Sequence, residues 1–257
     1  MQILRRSWQA SLETFGNADP GRSAWIGDLA DGWGIAAQVR RPGASVLKVL
    51  IAVAAHLADH EGAIALGEYT AVEQIGVSCW PSILDVFEPR HRLTLAEIIG
   101  LSLAAGDNRC ADHLVRLLGL DRINRTAAVL GCTSTEVNVG FSDDVLNDRG
   151  RANLTTASDC ARLLTLIRED QRFTDIRRAM SVNLVNTRIP SQLPAEIVVA
   201  HKTGSLNGVI NDIGIISAGA GDLIVCFLTD AQADPMATTM AIGGCVREAF
   251  DAWESAA

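Results

Sequence analysis

Between Ala44 and Asp59 the chain reads ASVLKVLIAVAAHLAD, apolar nearly all the way round a helix. A helix with no polar face belongs inside a protein, so this segment reads as a buried helix around which other layers must close. Its most apolar run, residues 49–55, is far too short to span a bilayer. Arg41-Pro42-Gly43 breaks the chain just ahead of it. With 257 residues, 48% of them hydrophobic and 20% charged, there is ample material for a core in one large domain or two interleaved subdomains.

The buried segment holds one of only two lysines. Of the 22 cationic residues, Lys48 and Lys202 alone are not arginine. A coding bias toward arginine explains the surplus. On that reading the two lysines mark positions where arginine does not serve, and arginine, unlike a buried lysine, cannot give up its proton. The net charge of −8 and the lack of any basic stripe argue against nucleic acid or anionic membrane as partners.

Periodicity divides the chain. Residues 7–15 read as a helix opened by Ser7, and Ser23–Leu29 and Trp33–Val39 as two strands joined at Ala30-Asp31-Gly32. Residues 66 to about 195 are mainly helical, with Leu93–Ala105, Asp107–Leu118 and Thr156–Arg168 the clearest helices. Gly140–Asn153 is a long polar loop. Ile197–His201, Ile210–Ser217 and Asp222–Thr229 read as a strand meander, and residues 235–254 as a closing helix. The expected class is α/β (α+β): an antiparallel sheet flanked by terminal helices, with an inserted all-helical subdomain. Residues 1–257 then form a single domain, its sheet part approximately 1–65 and 196–257 and its helical part approximately 66–195. A cleft between such halves is a natural ligand site.

Ser45 and Lys48 lie three apart at the start of the buried helix, on one face and within reach of each other. A serine hydroxyl needs a base, and a lysine sunk among apolar side chains loses solvation of its ammonium and becomes one. The bland alternative is a capping serine and a snorkelling lysine. The second lysine opens Lys202-Thr203-Gly204-Ser205, at the end of the strand Ile197–His201. Lys202 suits a substrate carboxylate and, as a like charge, would depress Lys48 further; Gly204 would let a substrate backbone approach. The N–H groups of Ser45 and Ser205 are candidates for an oxyanion hole.

Ser45-Val-Leu-Lys48, Gly106-Asp107-Asn108 and Lys202-Thr203-Gly204 stand in that order. This resembles the serine β-lactamase and penicillin-binding protein superfamily, closest to class A, with its S-x-x-K, S-D-N and K-T-G. The segments Leu184–Pro190, Val199–Gly204 and Val209–Gly214 add to the likeness, which covers roughly residues 22–254. It implies a β-lactamase-like fold, an acyl-enzyme on Ser45, Lys48 as base, and a substrate positioned by Asn108, Lys202, Thr203, Gly204 and Ser205. It implies no metal and no organic cofactor. The expected partner is a small, carboxylate-bearing molecule; oligomeric state is left open.

Two departures matter. The motif serine is Gly106, which removes a hydroxyl that helps protonate the leaving nitrogen and so handicaps amides more than esters. The water-handling glutamate of the E-x-x-L-N pattern falls on Asp143, with Asn147 as its companion; the alternative for these residues is a solvated acidic loop.

Other readings weigh less. His56-Leu-Ala-Asp59-His60 resembles a metalloprotease pair without a third ligand, and the nucleophile elbow G-x-S-x-G is absent. A ligand-binding protein on a dead hydrolase scaffold is a third alternative. The six cysteines lack metal-ligand spacing and read as small buried residues, and the tryptophans as core or subdomain contacts. No apolar run follows Arg5 and Arg6, so the sequence as it stands is expected in the cytoplasm, or in the periplasm or outside the cell if a leader was removed.

Overall fold

The computed structural model describes residues 2–27, 32–142 and 152–256. Helix α1 (Gln2–Asn17) leads into the hairpin β1 (Arg22–Gly27) and β2 (Gly32–Ile35). A two-residue strand β3 (Arg41–Pro42) precedes the central helix α2 (Lys48–His60). Then come β4 (Tyr69–Ala71), β5 (Arg92–Thr94), α3 (Leu95–Ala104), α4 (Asn108–Leu118) and α5 (Leu120–Val129). After β6 (Leu154–Thr155), helices α6 (Ala157–Glu169) and α7 (Thr174–Ser181) lead to the meander β7 (Val198–Leu206), β8 (Val209–Ala218) and β9 (Gly221–Thr229). Helix α8 (Pro235–Glu254) closes the chain.

The main sheet is antiparallel in the order β2-β1-β9-β8-β7, so the amino-terminal hairpin joins the carboxy-terminal meander through β1 and β9. Strand β9 is buried on both faces. Leu223, Val225 and Phe227 point to α1 and α8, while Ile224, Cys226 and Leu228 point to the larger core around α2. Period-two alternation with apolar residues on both sides is what a central strand between two helical layers requires. On the outer side, Trp8, Leu12 and Phe15 form one stripe of α1, and Ile242, Val246, Ala249 and Trp253 one of α8. Trp8 Nε1 donates to Ala249 O at 3.2 Å, so even this large ring leaves no buried donor unmet.

Several boundaries differ from the sequence reading. Helix α1 begins at Gln2 rather than Ser7. The second strand stops at Ile35, because Ala36 takes a left-handed conformation (φ 46°) and turns the chain. Most informative is β7, which continues through Leu206 instead of ending at His201. Pairing with β8 carries it across the glycine, Gly204 opposite Asn211 and Leu206 opposite Val209. Lys202-Thr203-Gly204-Ser205 therefore lies within an edge strand. Among the described residues no helix is long and apolar enough to cross a membrane.

Trp8→Ala is expected to lower the unfolding free energy by about 3–5 kcal/mol, read from denaturant midpoints at constant slope. Glu13→Ala, on the exposed side of the same helix, should shift the midpoint little.

Candidate active site

Ser45 sits in a single 3₁₀ turn, Ala44–Leu47, and the α-helix starts only at Lys48. The sequence reading placed both in one α-helix. The tighter turn keeps them on one side, since residues three apart eclipse in a 3₁₀ helix. Ala44 is held at φ 47°, a strained conformation for a residue with a Cβ, directly before the serine. Its neighbours hold it there. Gly43 N donates to Asn153 O at 2.8 Å, and Asn211 Nδ2 donates to Pro42 O at 2.8 Å and Gly43 O at 3.2 Å. Strand β7 presses on the same turn. A Cβ at Gly204 would lie 3.0 Å from Ser45 N and from Gly43 O, so the glycine admits the serine's own turn.

Lys48 is 1% exposed. Its Nζ donates to Gly106 O and to Asn108 Oδ1, each at 2.6 Å, and lies 5.0 Å from the centre of the Phe141 ring. Burial pushes its pKa well below the ordinary lysine value, and the positive charge of Lys202 adds to this; Asp107, Asp112 and Cys110 oppose it. Ser45 and Lys48 share no hydrogen bond.

The Gly106-Asp107-Asn108 turn is fixed by its aspartate. Asp107 caps α4 by accepting from Cys110 N at 2.8 Å, and its other oxygen accepts from Ser82 Oγ (2.7 Å) and Ile83 N (2.8 Å). Gly106 lies at φ 68°, where a side chain is strained, and a Cβ there would meet only Lys202 Nζ, at 3.5 Å.

Lys202 is 2% exposed and donates to Thr203 O at 2.8 Å. Burial lowers its pKa to about 8, with Asp212 opposing and Arg188 assisting. Thr203 is buried beside it. Arg188, which the sequence reading did not single out, is buried against the same strand. It donates to Gly204 O at 3.0 Å, to Asn211 O and to Ser205 Oγ at 2.6 Å. Its only sequence signal was its place in Leu184–Pro190. His201 faces away from the site, between Asp212 (3.0 Å) and Asn186 Oδ1 (3.0 Å).

A cavity of about 230 Å³ is lined by Ala44, Ser45, Trp80, Asn108, Phe141, Ser205 and Leu206. It brings Ser45, Asn108 and Ser205 together, with Lys48 close behind Asn108. Trp80 is 57% exposed and walls this cavity, so reading it as a core or subdomain contact was mistaken. Five cysteines are buried as expected, but Cys79 is exposed. Asp143 and Asn147 lie outside the described residues. His56 is packed edge-on against Phe173, and no group of three metal-ligating side chains forms among the described residues.

The Beta-lactamase2 model, described as the β-lactamase enzyme family, matches residues 7–253. The chain belongs to that family. The resemblance to the serine β-lactamase and penicillin-binding protein superfamily is thereby met, and the chain is a β-lactamase-like hydrolase by kinship. No curated protein matches. Among solved structures, a β-lactamase from Sphaerobacter thermophilus DSM 20745 is similar at 24% identity over 96% of this chain and 98% of its own, with a TM-score of 0.85. A class A β-lactamase representative from Bacteroides cellulosilyticus DSM 14838 gives 19%, 98%, 99% and 0.85. A mutant of PBP-A, as its acyl-enzyme complex with penicillin G, gives 20%, 99%, 97% and 0.83. At such identities the likeness is one of fold.

Because this β-lactamase relative has two lysines, ¹³Cε-lysine labelling yields two titrations. Both are expected below the ordinary value of 10.5, with Lys202 near 8. Between pH 8 and 10.5 the unfolded chain holds a proton that folded Lys202 lacks, so Lys202 makes stability rise with pH across that window. Lys202→Met should flatten that rise; an unchanged slope would refute the assignment.

Proposed function

We propose that the protein is a class A β-lactamase-like serine enzyme that works through an acyl-enzyme on Ser45. The observation that carries this reading is the buried Lys48, held between Gly106 O and Asn108 Oδ1 beside the cavity that Ser45 lines. Neutral Lys48 takes the Ser45 proton as Oγ attacks the substrate carbonyl. The N–H groups of Ser45 and Ser205 receive the developing oxyanion. Asn108, Thr203 and Ser205 orient the substrate, and Lys202, buried beside Thr203, supplies the positive charge for a carboxylate. The carbon–heteroatom bond then breaks, and the leaving group departs with a proton. Substrates on this reading are β-lactams or related small amides and esters. Asp143 with Asn147 is the pair we assign to the deacylating water.

Gly106 favours a second reading on the same scaffold: an esterase, carboxypeptidase or acyl-transfer enzyme that is slow as a β-lactamase. With no hydroxyl at position 106, an amine leaving group is harder to protonate than an alkoxide is to expel.

Intact-protein mass spectrometry after mixing with penicillin G and with an activated ester tests the proposal. An adduct on the wild type and none on Ser45→Ala is expected. An adduct that persists in Ser45→Ala refutes the nucleophile, and none on the wild type with either probe favours a non-catalytic ligand-binding protein. Gly106→Ser places a side chain at φ 68°, at a cost of about 1–2 kcal/mol, yet should raise kcat/KM for the β-lactam more than for the ester. Equal changes would remove the proton-transfer argument.

A further inference from the structure

One feature of the cavity is absent from the motifs. Phe141 is 2% exposed, lines the cavity with Ser45 and Asn108, and sets its ring 5.0 Å from Lys48 Nζ. Its position is built on both sides. Phe141 N donates to Asp112 Oδ1 at 2.5 Å, and a Cβ at Gly140 would lie 2.8 Å from that same oxygen, so only glycine lets the chain come so close. Upstream, Asn153 Oδ1 accepts from Asn138 N (2.7 Å) and Val139 N (3.0 Å), and Asn153 O accepts from Gly43 beside the serine turn. The segment 138–141 is thus clamped between the nucleophile turn and α4.

Lys48 has few donors to spare. An ammonium has three N–H groups. In Lys48 two go to Gly106 O and Asn108 Oδ1, and the Phe141 ring centre lies 5.0 Å from the same nitrogen. One direction is left, and Ser45 or the substrate needs it. A water that is to attack the Ser45 ester needs a polar partner beside the carbonyl, and an aromatic face next to the base offers none.

We propose that Phe141 is a positioning residue that keeps water away from Lys48 and so closes the route by which Lys48 would carry deacylation, leaving hydrolysis of the Ser45 acyl-enzyme to the Asp143 pair and its lifetime long. This rests on the acyl-enzyme reading above and deepens it. In the step that Phe141 suppresses, water oxygen bonds to the acyl carbon, the bond from that carbon to Ser45 Oγ breaks, and the proton lost by water returns to Oγ through Lys48.

The test compares wild type, Phe141→Ala and Phe141→Leu. Acyl-enzyme lifetimes are followed by intact mass after a pulse of penicillin G or activated ester. Phe141→Ala is expected to shorten the lifetime by about 10²-fold, the lower end of what a positioned base contributes, while the apolar Phe141→Leu retains most of it. Equal lifetimes in wild type and Phe141→Ala would overturn the proposal, as would a lifetime in Phe141→Leu as short as in Phe141→Ala. A separate readout needs no acylation: in Phe141→Ala the Lys48 ¹³Cε titration should move up toward the ordinary lysine value as water enters. Asp107, Asp112, Cys110 and Lys202 still face Lys48 in that variant, so the shift reports the ring. An unmoved titration overturns the shield even if no adduct ever forms, whereas a wild type without adducts but with the shifted titration overturns only the acyl-enzyme reading.

Discussion

An ammonium enclosed by protein loses several kcal/mol of hydration unless oxygens replace the water, and the architecture around Lys48 is organised by that demand. Two acceptors meet it, Gly106 O and Asn108 Oδ1, both from the turn that opens α4. The turn keeps its shape because Asp107 satisfies three donors at once, one in α4 and two in the segment that carries Trp80. Removing any of these contacts would loosen the acceptors of Lys48, so a contact between two loops and a helix end sets the electrostatics of a side chain on α2. The same enclosure makes lysine the fitting residue: it satisfies the site as an ammonium yet can exist there neutral, which arginine cannot.

The serine side is held by backbone fit. A left-handed Ala44, the carbonyl of Gly43 and a glycine in β7 let an edge strand lie directly against the 3₁₀ turn. Asn211 ties the two parts together. Its side chain donates into residues 42 and 43 and accepts from Thr229 N, so β8, β9 and the turn that carries Ser45 share one buried amide. Arg188 does the same on the other side of β7, joining Gly204, Asn211 and Ser205. Strain at Ala44 persists because these neighbours over-determine it.

Much of this was legible in the sequence because it rests on pattern. The apolar run around Lys48, the rarity of lysine, the order of three motifs and the switch to strand periodicity near residue 196 all survive as α2, the two buried cations and β7–β9. What was not legible depends on three-dimensional closeness. Strand β7 looked finished at His201 because glycine and polar residues follow, and only its pairing with β8 carries it on to Leu206. Trp80 carries no sign in its neighbours that it walls a cavity. Phe141 stood in a polar stretch read as loop, and its role came from a glycine that brings it close to Asp112. Arg188 was visible as part of a family-like segment but not as a donor, since its three acceptors are 16 to 23 residues away.

On the acyl-enzyme reading proposed above, Gly106 and Phe141 bear on opposite halves of one reaction. A missing hydroxyl at position 106 penalises expulsion of an amine during acylation, when the ester first forms. A ring beside Lys48 penalises water during deacylation, when the ester is resolved. Neither touches the attack proposed for Ser45, for which the structure offers a buried lysine, a constrained serine turn and an edge strand against it. On that reading the site keeps the first bond-making step while favouring good leaving groups over amines and closing the Lys48 route to water. That combination is what the proposed slow β-lactamase-like enzyme needs, and it follows from two positions rather than from any change in the scaffold.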